Sequence, residues 1–198
     1  MIKKIYLSCY LVLIFWSLNS YEIRSPLACE IAEISELYFQ TWHDTYDIIA
    51  PYLTLLRTRE NCLKQWQVYY LNVSDHKHFM LIARDSEVIV GIVYAKPIGY
   101  QEVAEYPGYD SEIDKLYVAK NFKNRGVGTA LLKAALAKLH TMGFNRTVVR
   151  SLTKNQDAVK FYEKNGGILI AQPIVDFGEI MNIYGFIGPR GYARRADR

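Results

Sequence analysis

Cysteine is nearly absent from this chain, and the little there is forms no pattern. Cys9, Cys29 and Cys62 are its only three among 198 residues, with no CxxC and no Cys/His cluster at zinc spacing. A disulfide framework or a structural zinc finger therefore cannot organise the fold. His76 and His78 flank Lys77 beside Asp75, but this reads as a polar turn before a strand, and no metal is expected. Charge of one sign is also lacking. The 24 Lys and Arg against 20 Asp and Glu leave only +4, and Arg194, Arg195 and Arg198 sit at the very end. The body is nearly balanced, and nothing asks for a nucleic-acid partner. No apolar run reaches the roughly 20 residues of a membrane-spanning helix. Internal repeats, low-complexity linkers, a Walker loop and a GxGxxG fingerprint are all missing.

What is present suits one filled core. Apolar residues make up 51% and charged residues 22%, the profile of a single globular domain at this length. The N-terminus differs from the rest. Lys3 and Lys4 precede an apolar run over 5–16 broken only by Ser8 and Cys9, and Ser17, Asn19 and Ser20 follow. That is the layout of a secretory signal. An uncleaved anchor touching membrane through 5–16, or an extension from a misplaced start, fits as well. The chain thus divides into a signal-like leader (1–20), a domain (21–187) and a basic polar tail (188–198).

Periodicity orders the domain. Residues 21–25 alternate and stop at Pro26, as a first strand does. Apolar residues then recur at helical spacing over 28–49, and a second helix is expected over 57–70. Runs at 79–83 and 88–95 around Asp85-Ser86-Glu87 read as a hairpin, and 111–118 as another strand. A helix over 126–142 ends at Gly143, a strand covers 147–152, and a second helix over 155–165 begins at a capping Asn155 and ends before Gly166. Strands at 168–171 and 180–186 complete the order βααββ, then βαβαββ. One mixed α/β sheet with helices on its faces is predicted.

The informative stretch is a strand that runs into a basic, glycine-containing loop opening directly into a helix: Lys123, Asn124, Arg125, Gly126, Val127, Gly128, Thr129. Gly126 and Gly128 let the backbone approach a ligand closely. The unpaired amides and positive end of the helix, from Arg125 to Thr129, make a phosphate site. Lys123 and Arg125 add charge.

Three segments occur together in order: Glu112-Ile-Asp-Lys-Leu-Tyr-Val118, the Arg-Gly-Val-Gly loop, and Asn155-x-x-Ala158-x-x-Phe161-Tyr162-x-x-x-Gly166. Together they resemble the GNAT N-acetyltransferase family, sharply over 111–167 and more loosely over 21–186, where the first helix carries Trp42-x-x-Thr45-Tyr46. The resemblance implies an acyl-CoA N-acyltransferase fold: a mostly antiparallel sheet splayed between its fourth and fifth strands. It implies acetyl-CoA as cosubstrate, with its pyrophosphate on the loop from Lys123 to Gly128. Lys123 departs from the family's Gln or Arg, keeping charge but losing the bidentate fork.

Roles follow from that frame. The pantetheine arm would add to the fourth strand at Leu116 and Val118 like an extra strand, and an N–H near Val118 would face the thioester oxygen. By the period-two rule Glu112, Asp114, Leu116 and Val118 should share a face. Glu112, or else Asp114, is the candidate base for the substrate ammonium; the alternative for either is a solvated or salt-bridged carboxylate. Tyr162 is the candidate acid for the departing thiolate, unless it is a core tyrosine beside Phe161. Asn155 would cap its helix and bond the pantetheine arm. The acceptor pocket would draw on Trp42, Tyr46, Tyr52, Trp66, Tyr69, Tyr70, Tyr100, Tyr106 and Tyr109, with Trp42 and Trp66 spaced like core residues.

The partner expected is an amine-bearing small molecule, peptide or protein, and the protein is expected as monomer or homodimer. A silent CoA-binding module and an exported interaction protein on the same fold compete with the enzyme. Acetyl-CoA is cytosolic, which favours a cytoplasmic protein with free, buried thiols at Cys29 and Cys62. The leader favours a secreted or anchored protein, in which those two cysteines pair.

Overall fold

A computed structural model describes residues 21–55, 57–75, 77–99, 106–176 and 178–188. The leader, His76, Tyr100 and nearly all of the basic tail lie outside the described residues. In chain order the elements are β1 (Glu22–Arg24), α1 (Ile31–Ile49), α2 (Arg59–Asn72), β2 (Phe79–Asp85), β3 (Val88–Pro97), β4 (Ser111–Val118), α3 (Val127–Thr141), β5 (Arg146–Leu152), α4 (Gln156–Lys164), β6 (Ile168–Asp176) and β7 (Glu179–Ile187). They form one seven-stranded sheet in the order β1-β2-β3-β4-β5-β7-β6. Only β4 and β5 run parallel.

Helices cover the sheet on both faces because its inner strands are apolar on both. Val93, Ala95, Ile113 and Val149 pack with Val127, Leu131 and Leu132 of α3. Ile82, Ile92 and Tyr94 point the other way, against Ile34, Tyr38, Cys62 and Trp66 of α1 and α2. Trp66 is fully buried, as its spacing predicted. Past β5 the α1/α2 face is covered instead by residues flanking 99–105, where Tyr106 and Tyr109 sit with Val148 and Ile183.

Several boundaries differ from the sequence pattern for local reasons. The first helical turn, Ala28–Glu30, is 3-10: Glu30 N–H bonds the Leu27 carbonyl at 3.0 Å, and the Glu30 carboxylate accepts from Leu27 N–H at 2.7 Å. Cys29 is exposed, not buried as expected, while Cys62 is buried; both are free. β6 runs on to Asp176. Pro173 has no N–H to donate, but it falls in the register break between Ala171 and Ile174 of an edge strand, where proline is tolerated.

The consequential difference is in β4. Tyr94 pairs with Lys115 and Ala95 with Ile113, which leaves Asp114 without an opposite residue: a β-bulge. The bulge reverses the alternation. Glu112 shares the side of Lys115 and Tyr117, whereas Leu116 and Val118 face α3. The expectation that Glu112 shares their face is thereby corrected: an extra residue shifts every side chain beyond it to the other side.

β4 and β5 pair only at Ser111–Thr147, Glu112–Val148 and Ile113–Val149. Beyond these positions the strands part. The splay expected between the fourth and fifth strands is present.

Candidate active site

The parted strands open a cleft of about 490 Å³. One wall is the unpaired edge of β4, with Asp114, Leu116 and Val118; the other is β5 and α4, with Arg150, Ser151, Asn155 and Tyr162. The N-terminus of α3 closes one end, through Lys123, Asn124, Gly126, Gly128 and Thr129.

That helix end is built as its sequence suggests. Gly126 is the N-cap at φ 87°, a left-handed conformation with open space where a Cβ would project. Asn124 is left-handed too, at φ 61°. Ala130 N–H bonds the Gly126 carbonyl, so the earlier amides face outward at the open first turn. A Cβ on Gly128 would stand 3.2 Å from the Phe161 ring; glycine there lets α3 and α4 close together around the cleft. Lys160 and Lys164 of α4 add positive charge to its wall. These features fit a pyrophosphate at the helix end and an extended arm along β4. Val127 contributes no side chain to the cleft, being fully buried in the core. Arg125 lies over the Phe122 ring, 5.3 Å from its centroid, and does not line the cleft.

The two candidate carboxylates separate sharply. Glu112 is 1% exposed, takes Arg150 at 2.9 Å and Lys96 at 3.3 Å, and does not border the cleft. Asp114, thrown out by the bulge, does border it, with Lys115 at 2.6 Å and Arg150 at 4.0 Å. Burial pushes the Asp114 pKa up, but Lys115, Lys96 and Arg150 outweigh it and hold the carboxyl below its usual range.

Tyr162 is 6% exposed and packs between Phe161 and Tyr184, while still lining the cleft. Burial raises its pKa well above that of a free phenol, so it stays protonated and can donate. Asn155 accepts from Ala158 N–H at 3.2 Å and caps α4, with the Tyr46 hydroxyl also in its reach. Tyr46 and Tyr117 border the cleft from the α1 side, and Tyr117 accepts a bond from Trp42 Nε1 at 3.0 Å.

Sequence reasoning missed Thr41, Arg150 and Ser151, which line the cleft. Thr41 lies one residue before the Trp-x-x-Thr-Tyr segment, and the alternation of β5 offered a signal for Ser151. Arg150 has none, because its meaning comes from partners on other strands. Among the described residues no group of three His, Cys, Asp or Glu gathers as a metal site.

A chain with this cleft belongs with enzymes that hold an acyl donor between two splayed strands. It belongs to the Acetyltransferase (GNAT) family, whose sequence model matches residues 32–167 and whose donor is acetyl-CoA. N-alpha-acetyltransferase 30 of Schizosaccharomyces pombe (strain 972 / ATCC 24843) is 27% identical over 99 residues, 50% of this chain and 63% of that protein. The chain thus spans less than two thirds of that relative. Ribosomal-protein-alanine N-acetyltransferase from Brucella melitensis superposes at TM-score 0.67 with 17% identity, covering 84% of this chain and 99% of that one. PaiA N-acetyltransferase from Thermoplasma acidophilum, in complex with coenzyme A, gives 0.65 with 19% identity and covers 84% and 99%. At these identities the two structures speak for the fold.

Proposed function

We propose that the protein moves an acetyl group from acetyl-CoA to a primary amine by direct attack, in the cytoplasm. The observation that carries this reading is the convergence on one cleft of three features: the free β4 edge, the open first turn of α3, and a protonated Tyr162.

When bound, acetyl-CoA supplies an activated thioester. The amides and lysines at the α3 terminus bind its phosphates, and the β4 backbone around Leu116 and Val118 aligns its arm. A β4 amide near Val118 stabilises negative charge developing on the thioester oxygen. Asp114, held ionised at the cleft wall, attracts the substrate ammonium and leads its proton away through water, freeing the lone pair for attack. As the N–C bond forms and the C–S bond breaks, Tyr162 gives its proton to the departing sulfur. Glu112 instead holds Arg150 and Lys96 in place.

Full-length protein, acetyl-CoA and a broad amine panel test this through free-thiol release and product mass. Acetylated amine is expected. Tyr162→Phe should lower kcat by about 10²-fold, the low end for a general acid since a thiolate leaves readily, with acetyl-CoA affinity unchanged. Tight CoA binding without transfer to any amine would replace the enzyme with a binding module.

A further inference from the structure

Four cations on and near β3, β4 and β5 are matched by carboxylates. Lys96 meets Glu112 at 3.3 Å, Lys115 meets Asp114 at 2.6 Å, Arg150 meets Glu112 at 2.9 Å, and Lys154 meets Glu179 at 2.9 Å. Arg57, on the segment between α1 and α2, stands behind the α1 wall of the cleft and does not line it. Among the described residues it has no carboxylate within ion-pairing distance.

Arg57 is nevertheless held firmly. Its guanidinium lies over the Trp42 ring, 4.2 Å from the centroid, and 5.8 Å from that of Tyr38. One N–H donates to Gln65 Oε1 at 3.0 Å, and Gln65 in turn donates to the Tyr69 hydroxyl at 2.9 Å. The Arg57 carbonyl is bonded by His43 Nε2 at 3.1 Å. Gln65 takes one of its five N–H donors. The rest of the in-plane fork keeps its charge and its directionality.

The position is close to the chemistry. The Trp42 ring lies 4.3 Å from that of Tyr46, tilted at 40°, and Tyr46 lines the cleft, so contacts run from Arg57 to the cleft wall. The charge of Arg57 also reaches Tyr46 and Tyr117, the cleft phenols on the α1 side.

We propose that Arg57 is a specificity-determining residue that binds an anionic group on the acceptor, so that the preferred amines carry a carboxylate or a phosphate. The inference rests on the acetyl-transfer reading above. Chemically, a stacked guanidinium with an open fork suits a planar carboxylate or two phosphate oxygens. An amine carrying such a group would reach the thioester with its charge neutralised by Arg57 and its ammonium drawn to Asp114.

Matched acceptors test the proposal on the full chain with saturating acetyl-CoA: β-alanine against β-alaninamide for a carboxylate, and phosphoethanolamine against ethanolamine for a phosphate. The amide and alcohol partners differ in amine basicity, so the quantity to compare is each pair's kcat/KM ratio in wild type and variants. Wild type should prefer one anionic member by about 10- to 100-fold, the range of a hydrogen bond to a charged group. Arg57→Gln should collapse that ratio, and Arg57→Lys should retain part of it. An unchanged acetyl-CoA thermal shift in both variants would establish that they fold and bind the donor. Calorimetric binding of the same compounds to the CoA-bound protein decides the point without turnover: the anionic member should bind wild type more tightly and lose that advantage in Arg57→Gln. Equal ratios in wild type and Arg57→Gln, or no preference in wild type, overturn the role of Arg57. Arg57-dependent anion binding without transfer to any amine would instead sink the acetyl-transfer reading while upholding Arg57 as the anion site.

Discussion

Replacing Glu112 by Gln separates a structural carboxylate from a catalytic one. Glu112 is 1% exposed and paired with Arg150 at 2.9 Å and Lys96 at 3.3 Å. Removing one partner of a buried ion pair typically costs about 3–5 kcal/mol, because the other charge is left uncompensated. Two features soften the loss here. Glutamine keeps the shape and one acceptor oxygen, and Arg150 keeps Asp176 at 3.2 Å. A destabilisation of about 2–3 kcal/mol is expected, or a Tm lower by roughly 4–12 °C at this chain length. Urea and thermal unfolding measure it, beside the pH–rate profile with one amine and saturating acetyl-CoA, taken well below the new Tm. The expected result is lost stability with kcat and the profile nearly intact. Asp114→Asn should also destabilise, since it strips Lys115 of its partner at 2.6 Å, but it alone should alter the pH–rate profile. Unchanged stability in Glu112→Gln, together with a kcat loss of about 10²-fold, would refute this reasoning and make Glu112 the base.

Acetyl-CoA at 100 times its dissociation constant should stabilise the domain by about 2.7 kcal/mol. Gly128→Glu should abolish that shift, since even a Cβ would meet the Phe161 ring at 3.2 Å and the carboxylate would face the phosphates. Glu30 is held down to about pKa 2, first by its hydrogen bonds with Arg24, then by Leu27 N–H and Arg84. Its contribution to stability is therefore complete above the unfolded carboxyl value near 4.3 and fades as pH falls toward 2; Glu30→Gln should flatten the acid limb of a urea-midpoint series. His43 points one nitrogen at Asp47 and the other at the Arg57 carbonyl, both acceptors, so this geometry needs the imidazolium. The Arg57 bond and Asp47 raise its pKa, against burial and Arg59. Its stabilisation should be complete below the unfolded value near 6.5 and vanish as pH rises through the higher folded pKa. His43→Gln should erase that dependence above the unfolded value.

Element order and the open helix end of the cleft were legible in the sequence because both rest on local rules. A glycine with left-handed φ before a helix, an Asn cap and a helical stripe each involve residues a few positions apart. Gly126, Asn155 and the α3 stripe accordingly stand as their spacing suggested. The assignment of a side to Glu112 failed because alternation is local only until a partner strand intervenes. The bulge at Asp114 is a mismatch between β4 and β3, and neither strand announces it alone. Arg150 was invisible for the same reason: it gains meaning from Glu112, Asp114 and Asp176, which only the sheet brings to it. Arg57 likewise stands out only once it is seen over Trp42 with no carboxylate partner among the described residues. The sequence by itself determined the class of fold and the open glycine-containing helix end of the cleft, through backbone conformations that nearby residues impose. Which carboxylate meets the cleft, and where Arg57 is held behind its wall, was decided by tertiary structure, because those depend on pairings between residues far apart in the chain.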